Sequence, residues 1–371
     1  MRILIAAGGT GGHVNPALAI AQAIKNLEPE ADILFVGRRD GMEYGLVTAA
    51  GYPFEHVEVR GFQRTLSLEN IKRNTIALFD LAFASGSGAK ILKNFKPDLC
   101  IGAGGYVTGP ILRVAAKKGY KTVIHEQNAY PGVTNKLLAR GADIVFAASA
   151  AAAKRLGCEE KTIVVGNPVR QAVFEADAAC AKKEYGAAGR PVILSFGGSL
   201  GAAPLNRAVA ELAAWLAGNE NCLHIHATGK AGAGEFAALL EKFNLAPNEN
   251  FIVQQYITDM PRALAAADLV IARAGALTLS ELAAAGRAAI LIPSPYVSEN
   301  HQYYNALEVV QAGAALMLEE KDLTGSSLIA MVQTLVGDRA KLTAMGKKAK
   351  SLATPDSAQI IAQKALELIK N

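Results

Sequence analysis

Glu281 stands three residues after Thr278 in the stretch Ala274-Gly275-Ala276-Leu277-Thr278-Leu279-Ser280-Glu281, directly behind the apolar run Leu269-Val270-Ile271-Ala272. That order predicts a strand, a loop of small residues and a helix N-terminus, which turns backbone N–H groups and a positive dipole end toward an anion. Two roles suit Glu281 there. With Thr278 as N-cap it completes a capping box. Alternatively, it accepts hydrogen bonds from the two hydroxyls of a ribose, as acidic residues do in nucleotide sites.

Three glycine-rich loops add to this chemistry. Gly8-Gly9-Thr10-Gly11-Gly12-His13-Val14-Asn15-Pro16 follows the apolar run Ile3–Ala7. Its glycines let the backbone approach an anion closely, with Asn15 expected as N-cap and Pro16 as the first residue of a helix reaching Leu27. It lacks the G-K-[ST] of a P-loop, and Val14 stands where a G-x-G-x-x-G motif ends. The next strand closes on Val36-Gly37-Arg38-Arg39, without an acid for an adenine ribose, which argues against a nicotinamide dehydrogenase. The other loops are Gly102-Ala103-Gly104-Gly105-Tyr106-Val107-Thr108-Gly109-Pro110 and Gly197-Gly198-Ser199-Leu200-Gly201-Ala202. One such loop is commonly just a tight turn; three at strand ends point to phosphate groups. Hydrogen-bonding side chains also cluster in His125-Glu126-Gln127-Asn128, Asn167-Pro168-Val169-Arg170 and Glu299-Asn300-His301-Gln302-Tyr303-Tyr304-Asn305-Ala306.

The elements that must position these loops are short apolar runs alternating with helix-period segments. Strands are expected at Ile3–Ala7, Ile33–Val36, Leu99–Gly102, Thr122–His125, Ile144–Ala147 and Ile163–Val165. In the second half they fall at Val192–Phe196, Leu223–Ala227, Phe251–Val253, Leu269–Ala272, Ala289–Ile292 and Ala315–Leu318. Continuous apolarity with helices between is the mark of parallel sheets covered on both faces. A chain of 371 residues exceeds one ordinary core, and the pattern restarts after Gly166-Asn167-Pro168. We therefore expect an α/β protein of two doubly wound Rossmann-like domains facing across a cleft, residues 1–167 and 168–354, with a last helix in 355–371 that can pack back on the first.

A hydrophobic fraction of 51% with 19% charged residues describes a packed globular chain rather than a disordered one. Cys100, Cys158, Cys180 and Cys222 form no C-x-x-C pair, so neither a disulfide framework nor a zinc site is indicated. No run reaches the roughly 18 apolar residues of a spanning helix, and no signal peptide is expected. The net charge of +5 is too mild and too dispersed to suggest nucleic acid.

The stretches GGTGGH, GGY-x-x-GP, HEQN, GNPVR, GGS-x-GA, GALT-x-SE and HQ-x-x-NA, in this order over essentially the whole chain, resemble the MurG family. These are bacterial glycosyltransferases of the GT-B fold that complete the lipid-linked disaccharide of peptidoglycan. The resemblance implies a hexosyltransferase that moves GlcNAc from UDP-GlcNAc to undecaprenyl-diphosphate-MurNAc-pentapeptide, by one in-line displacement with inversion. It implies that Ser199 contacts the diphosphate, Ile257 meets the uracil, Glu281 holds the ribose, and Ala276, Leu277, Thr278, Leu279 and Ser280 offer N–H groups to the phosphates. Arg170 would add a cation there, Gln302 and Asn305 would hold the sugar hydroxyls, and Thr10, Gly11, Gly12 and Asn128 would close over the donor. Gly8, Gly9, His13, Gly104, Gly105 and Tyr106 would face the acceptor's diphosphate. His13 is a candidate general base and equally a hydrogen-bond donor to that diphosphate. Glu126 and His125 follow as base candidates, with Glu126 as readily a structural anchor. No Asp-x-Asp pair occurs, so no metal or other cofactor is assigned. A UDP-GlcNAc 2-epimerase, a diacylglycerol glycosyltransferase and a non-catalytic nucleotide-sugar binder remain as alternatives.

A bilayer-held acceptor implies a peripheral protein on the cytoplasmic face of the cell membrane. Ile76, Phe79 and Phe83 recur at one helical stripe, flanked by Lys72, Arg73, Lys90, Lys93 and Lys96, a pattern suited to anionic lipids and equally to an ordinary core face.

Overall fold

A computed structural model describes residues 1–58, 85–187, 189–219 and 222–370, and the chain divides into two units, Met1–Val169 with Asp356–Asn371, and Arg170–Pro355. The first unit holds strands β1 (Arg2–Ala6), β2 (Asp32–Gly37), β3 (Phe54–His56), β4 (Leu99–Gly102), β5 (Lys121–Glu126), β6 (Ile144–Ala147) and β7 (Thr162–Val164). The second holds β8 (Val192–Phe196), β9 (Leu223–Ala227), β10 (Phe251–Gln254), β11 (Leu269–Ala272), β12 (Ala288–Leu291) and β13 (Ala315–Met317). β1, β4, β8, β11 and β12 are buried almost end to end, because helices cover both faces of each sheet. Every expected strand is present to within a residue at either end. β3 is the addition: its Phe-Glu-His has no apolar run and is largely exposed, as an edge strand can be.

Strand order explains where the glycine loops fall. The first sheet runs β3-β2-β1-β4-β5-β6-β7 and the second β10-β9-β8-β11-β12-β13, with all named pairs parallel. Order therefore reverses between β1 and β4, and again between β8 and β11. The connections that follow these four strands are Ala7–Thr10, Ala103–Val107, Gly197–Ala202 and Arg273–Gly275. Open parallel sheets bind ligands at this switch point, beyond the carboxyl ends of the strands. Each unit has thus placed its small-residue loops there.

Two helix starts differ from expectation. The first helix is Gly11–Leu27 with Thr10 as N-cap, so Asn15 and Pro16 lie inside it. Pro16 is the sixth residue of this helix and leaves the Gly12 carbonyl without its usual i+4 donor. The earlier start carries the helix N-terminus into the glycine loop itself. The second case is helix Ala276–Ala285, whose N-cap is Gly275 with φ −67° and ψ 139° and no side-chain cap. Thr278 is already inside the first turn, so the Thr278–Glu281 capping box does not form.

The last helix, Ser357–Lys370, lies on helix Gly11–Leu27 and gives Ile361, Ala362, Ala365 and Leu366 to the core of the first unit. Ser357 Oγ, almost fully buried, donates to the Val165 carbonyl at 2.6 Å and fixes the start of the helix. The candidate membrane residues Lys72, Arg73, Ile76, Phe79 and Phe83 lie outside the described residues. Of their flank, Lys90 and Lys93 are exposed on a helix over residues 85–95, while Leu92 of that helix is buried. No helix among the described residues is long and apolar enough to cross a membrane.

Ile361→Ala is expected to cost about 2–5 kcal/mol, the usual range for emptying a fully buried aliphatic site. Amide hydrogen exchange should show the loss in β1 and helix Gly11–Leu27 while β8 and β11 keep their protection. Equal loss in both units would remove the last helix from the core of the first.

Candidate functional site

In the first unit the loops after β1 and β4 meet backbone to backbone. A Cβ on Gly105 would lie 2.1 Å from the Gly8 carbonyl oxygen, and Gly105 also has φ +87°, so only glycine fits on both counts. Tyr106 lies against Gly9 and accepts a hydrogen bond from Arg38 Nη1 at 3.2 Å. Beneath them is Glu43, 1% exposed, whose carboxylate accepts from the backbone N–H of Arg38 at 3.0 Å and of Gly9 at 3.4 Å. Sequence reasoning missed Glu43. Its signal was the glycines around it, since a Cβ on Gly8, Gly37 or Gly41 would run into its side chain.

His13 sits where these loops join. Its Nδ1 lies 3.1 Å from the Gly8 carbonyl and 3.3 Å from the Thr10 hydroxyl; the carbonyl only accepts, so the neutral ring that suits this site is the one with the proton on Nδ1. Nε2 then keeps its lone pair. It lies on the side of Gly104, where an added Cβ would come within 3.1 Å of it. The N–H groups of Gly11 and Gly12 precede the first intrahelical bonds, which His13 and Val14 donate to the Thr10 carbonyl. The cluster therefore joins amide donors that suit an oxyanion to an imidazole nitrogen able to take a proton.

The segment after β5 is a scaffold. Glu126, 1% exposed, accepts from Asn128 N at 2.9 Å, Asn128 Nδ2 at 3.1 Å, Gly132 N at 3.2 Å and Asn135 Nδ2 at 2.9 Å. Both oxygens are engaged in holding the loop, which is the geometry of an anchor rather than a general base. His125 is fully buried, with Nε2 donating to the Gly166 carbonyl at 3.0 Å and Nδ1 accepting from Gln127 Nε2 at 3.2 Å. Burial holds its pKa down at about 4, so it stays neutral and structural near pH 7. Asn128 is held through Glu126 at the mouth of the same loop.

In the second unit the loops after β8 and β9 repeat the close approach. A Cβ on Gly201 would lie 2.2 Å from the Thr228 carbonyl oxygen. Ser199 is exposed on the tip of that loop and Ile257 is buried beyond β10. After β11, the Leu279 N–H donates to the Gly275 carbonyl at 3.0 Å. Free first-turn donors are therefore those of Ala276, Leu277 and Thr278. Leu279 and Ser280 use theirs in the helical ladder, which corrects the expectation for these two. The side chains of Leu277 and Leu279 are buried, and the Ser280 hydroxyl donates to the Ala276 carbonyl at 3.1 Å. Asn305 Nδ2 reaches the Ala274 carbonyl at 3.3 Å, and Gln302 Oε1 accepts from Ser294 N at 2.9 Å, so both amides are fixed against the strand-end loops. Arg273, also missed, pairs with Glu320 and donates to the Ile292 and Pro293 carbonyls, tying the loop after β11 to the one after β12.

Glu281 is the sixth residue of helix Ala276–Ala285 and only 8% exposed. Among the described residues its recorded partner is Arg170, with Nη2 at 3.9 Å from Oε1 and a side chain 43% exposed. Burial pushes the carboxyl up to about 7, against the pull of Arg170. A buried carboxylate with a single distant cation is short of donors, and that shortage suits a ligand bringing hydroxyls.

The raised pKa fixes a sign. Below about pH 4.5 the group is protonated both folded and unfolded; between there and pH 7 the unfolded chain gives up its proton first, so stability falls as pH rises. Above pH 7 the penalty is complete. Glu281→Gln should therefore raise the stability of the second unit at pH 8 by about 1–3 kcal/mol, with the gain vanishing below pH 5. Urea midpoints at both pH values check this; destabilisation at pH 8 would show the carboxylate to be well satisfied by the protein.

Residues 3–147 match the glycosyltransferase family 28 N-terminal domain, and residues 192–361 the family 28 C-terminal domain. A Listeria monocytogenes protein named UDP-N-acetylglucosamine–N-acetylmuramyl-(pentapeptide) pyrophosphoryl-undecaprenol N-acetylglucosamine transferase is 42% identical over 374 residues, all of both chains. Its counterpart in Acetivibrio thermocellus is 40% identical over 372 residues, 100% of this chain and 99% of the relative. The crystal structure of Acinetobacter baumannii MurG superposes with a TM-score of 0.73 at 31% identity, covering 99% of each chain. The UDP complex of Staphylococcus aureus MnaA gives the same TM-score at 14% identity, a likeness of fold alone. By two matching domains and full-length identity, the chain belongs to glycosyltransferase family 28, in its MurG branch.

Proposed function

We propose that the chain moves GlcNAc from UDP-GlcNAc to the muramyl hydroxyl of undecaprenyl-diphosphate-MurNAc-pentapeptide, with inversion at the anomeric carbon. The observation that carries the reading is Glu281, a buried carboxylate lacking donors at the switch point of the second sheet. It accepts the two ribose hydroxyls. The N–H groups of Ala276, Leu277 and Thr278 and the hydroxyl of Ser199 hold the diphosphate, the Ile257 backbone meets the uracil, and Gln302 and Asn305 orient the sugar. Arg170 is exposed enough to turn from Glu281 to the departing diphosphate. As that group gains charge, fixed amide dipoles and one guanidinium stabilise it without reorganising.

The first unit acts on the acceptor. Gly8, Gly9, Gly104, Gly105 and Tyr106 form the surface for its diphosphate, with Thr10, Gly11, Gly12 and Asn128 closing on the donor. His13 Nε2 takes the proton of the attacking hydroxyl as the new glycosidic bond forms and the bond to UDP breaks. Its Nδ1–H to the Gly8 carbonyl keeps the ring in the tautomer that this requires. A bilayer-held acceptor makes the protein peripheral at the cytoplasmic face of the membrane, drawn to anionic lipid by exposed lysines such as Lys90 and Lys93. UDP-GlcNAc 2-epimerases share the fold at only 12–14% identity, whereas transferase-named relatives are 40–42% identical over the whole chain.

The deciding assay is transfer of radiolabelled GlcNAc from UDP-GlcNAc to a lipid-linked muramyl acceptor. Release of a free 2-epimer without acceptor would replace this reading by the epimerase. Glu281→Ala should weaken UDP binding about 10- to 100-fold by calorimetry, on the scale of charged hydrogen bonds. His13→Ala should lower kcat by about 10²–10⁴ and erase the acidic limb of the pH–rate profile. A surviving limb would assign the base to another group and leave His13 as a diphosphate donor.

A further inference from the structure

The second unit carries a cavity of about 520 Å³ at the end of its sheet opposite the glycine loops. Its lining residues Pro191, Asp268 and Arg287 each stand immediately before the first residue of β8, β11 and β12. Five cations line it, Lys182, Arg287, Arg339, Lys347 and Lys350, against the one carboxylate of Asp268. That carboxylate is already taken. It receives Lys182 Nζ at 2.6 and 2.7 Å and the Val192 N–H at 2.8 Å. Lys182 is thereby neutralised and four positive charges remain.

Those four are oriented, and of them Arg287 also feels the field of the Asp268 carboxylate without pairing with it. Lys350 Nζ donates to the Ala284 carbonyl at the end of helix Ala276–Ala285, where a cation also suits the helix dipole. Arg287 Nη1 donates to the Ala267 carbonyl at 2.9 Å and Arg339 Nη2 to the Gly189 carbonyl at 3.2 Å. Among the described residues no acid pairs with Arg287, Arg339 or Lys347. Arg287 Nε is shielded from solvent and has no acceptor. Its burial also lowers the guanidinium pKa, a sign of an under-solvated charge. A guanidinium has five N–H donors, so carbonyls that each take one leave most of its capacity unused.

The site is also firmly built. Arg339, Lys347 and Lys350 share one face of helix Arg339–Ser351, and that helix is seated on the turn at Gly286. A Cβ on Gly346 would lie 2.7 Å from the Gly286 carbonyl oxygen, and Gly286 itself has φ +66°. Close backbone contact therefore fixes the helix that carries three of the cations beside the turn that carries Arg287. The volume lies in the range of small-ligand sites.

We propose that this cavity is a second anion site, taking a phosphate group that carries two negative charges or more. Such an oxyanion accepts from the exposed donors of Arg339, Lys347 and Lys350 at once, with the Arg287 guanidinium behind them adding charge, the setting in which clustered cations bind phosphate most strongly. The phosphate can belong to a soluble metabolite or to the phosphomonoester headgroup of a lipid.

The test titrates the full chain, saturated with UDP, with inorganic pyrophosphate in a calorimeter. The wild-type protein should bind it, Arg170→Ala should bind it equally well, and Arg339→Ala/Lys347→Ala should bind about tenfold or more weakly. Both substituted residues are exposed, so the double variant should fold and keep its transfer activity without pyrophosphate, which far-ultraviolet dichroism and the assay above check. Loss of binding in Arg170→Ala would place the pyrophosphate on the donor loops and overturn the second site, as would unchanged binding in the double variant or absence of binding at millimolar ligand. Sedimentation with phosphatidylcholine vesicles, with and without phosphatidic acid, then assigns the source. Sedimentation lost in the double variant and competed by pyrophosphate identifies a lipid headgroup; sedimentation unchanged in a variant that has lost pyrophosphate binding identifies a soluble phosphate.

Discussion

In both units the backbone of one strand-end loop lies against that of a neighbouring loop with no space for a methyl group between them. Gly105 meets the Gly8 carbonyl in the first unit, and Gly201 meets Thr228 in the second. This contact is what the rest depends on. In the first unit it brings the first-turn amides of helix Gly11–Leu27 to the end of the sheet, and in the second it fixes the loop that carries Ser199. An amide donor competes with water for an anion most effectively when it is held in place beforehand, and a loop locked to its neighbour supplies that. Any residue larger than glycine at Gly105 would shift the Gly8 carbonyl, and with it the Nδ1 hydrogen bond that sets the tautomer of His13.

Two buried glutamates illustrate how protein and ligand divide the work. Glu126 has both oxygens filled by the loop it organises and is complete without any ligand. Glu281 has a guanidinium at 3.9 Å and a carboxyl held up at about 7. Desolvating a carboxylate is costly unless donors replace the lost water, so the second arrangement sacrifices stability that a ligand restores. The first glutamate shapes a loop; the second keeps hydrogen-bonding capacity that the protein does not fill.

Most of the fold was legible because parallel strands buried on both faces must be apolar throughout, and each such run was present in the sequence. What escaped were features whose signal is not periodicity. β3 carries no apolar run. The helix starts at Gly11 and Ala276 were masked by better-looking caps at Asn15 and Thr278, and packing of the loops against each other overrode local capping preference. The switch-point loops, Arg170 and Glu281 were readable from residue types at strand ends. The supporting contacts of Glu43 and Arg273 were not, because they depend on which distant backbone atoms each side chain reaches. Glu126 and His125 looked equally chemical in sequence, and only their filled hydrogen-bonding positions separate scaffold from chemistry.

The return of the last helix to the first unit has a consequence for how the protein is made. Ile361, Ala362, Ala365 and Leu366 complete a core whose other members come from the first 165 residues. During synthesis those earlier residues emerge first, yet their core stays open along helix Gly11–Leu27 until the whole of Arg170–Pro355 has been translated. The second unit is continuous in sequence and can close as soon as it leaves the ribosome. The domain begun first is thus finished last, and a ribosome that stops short of the final turns releases a chain with one finished unit and one apolar face still exposed.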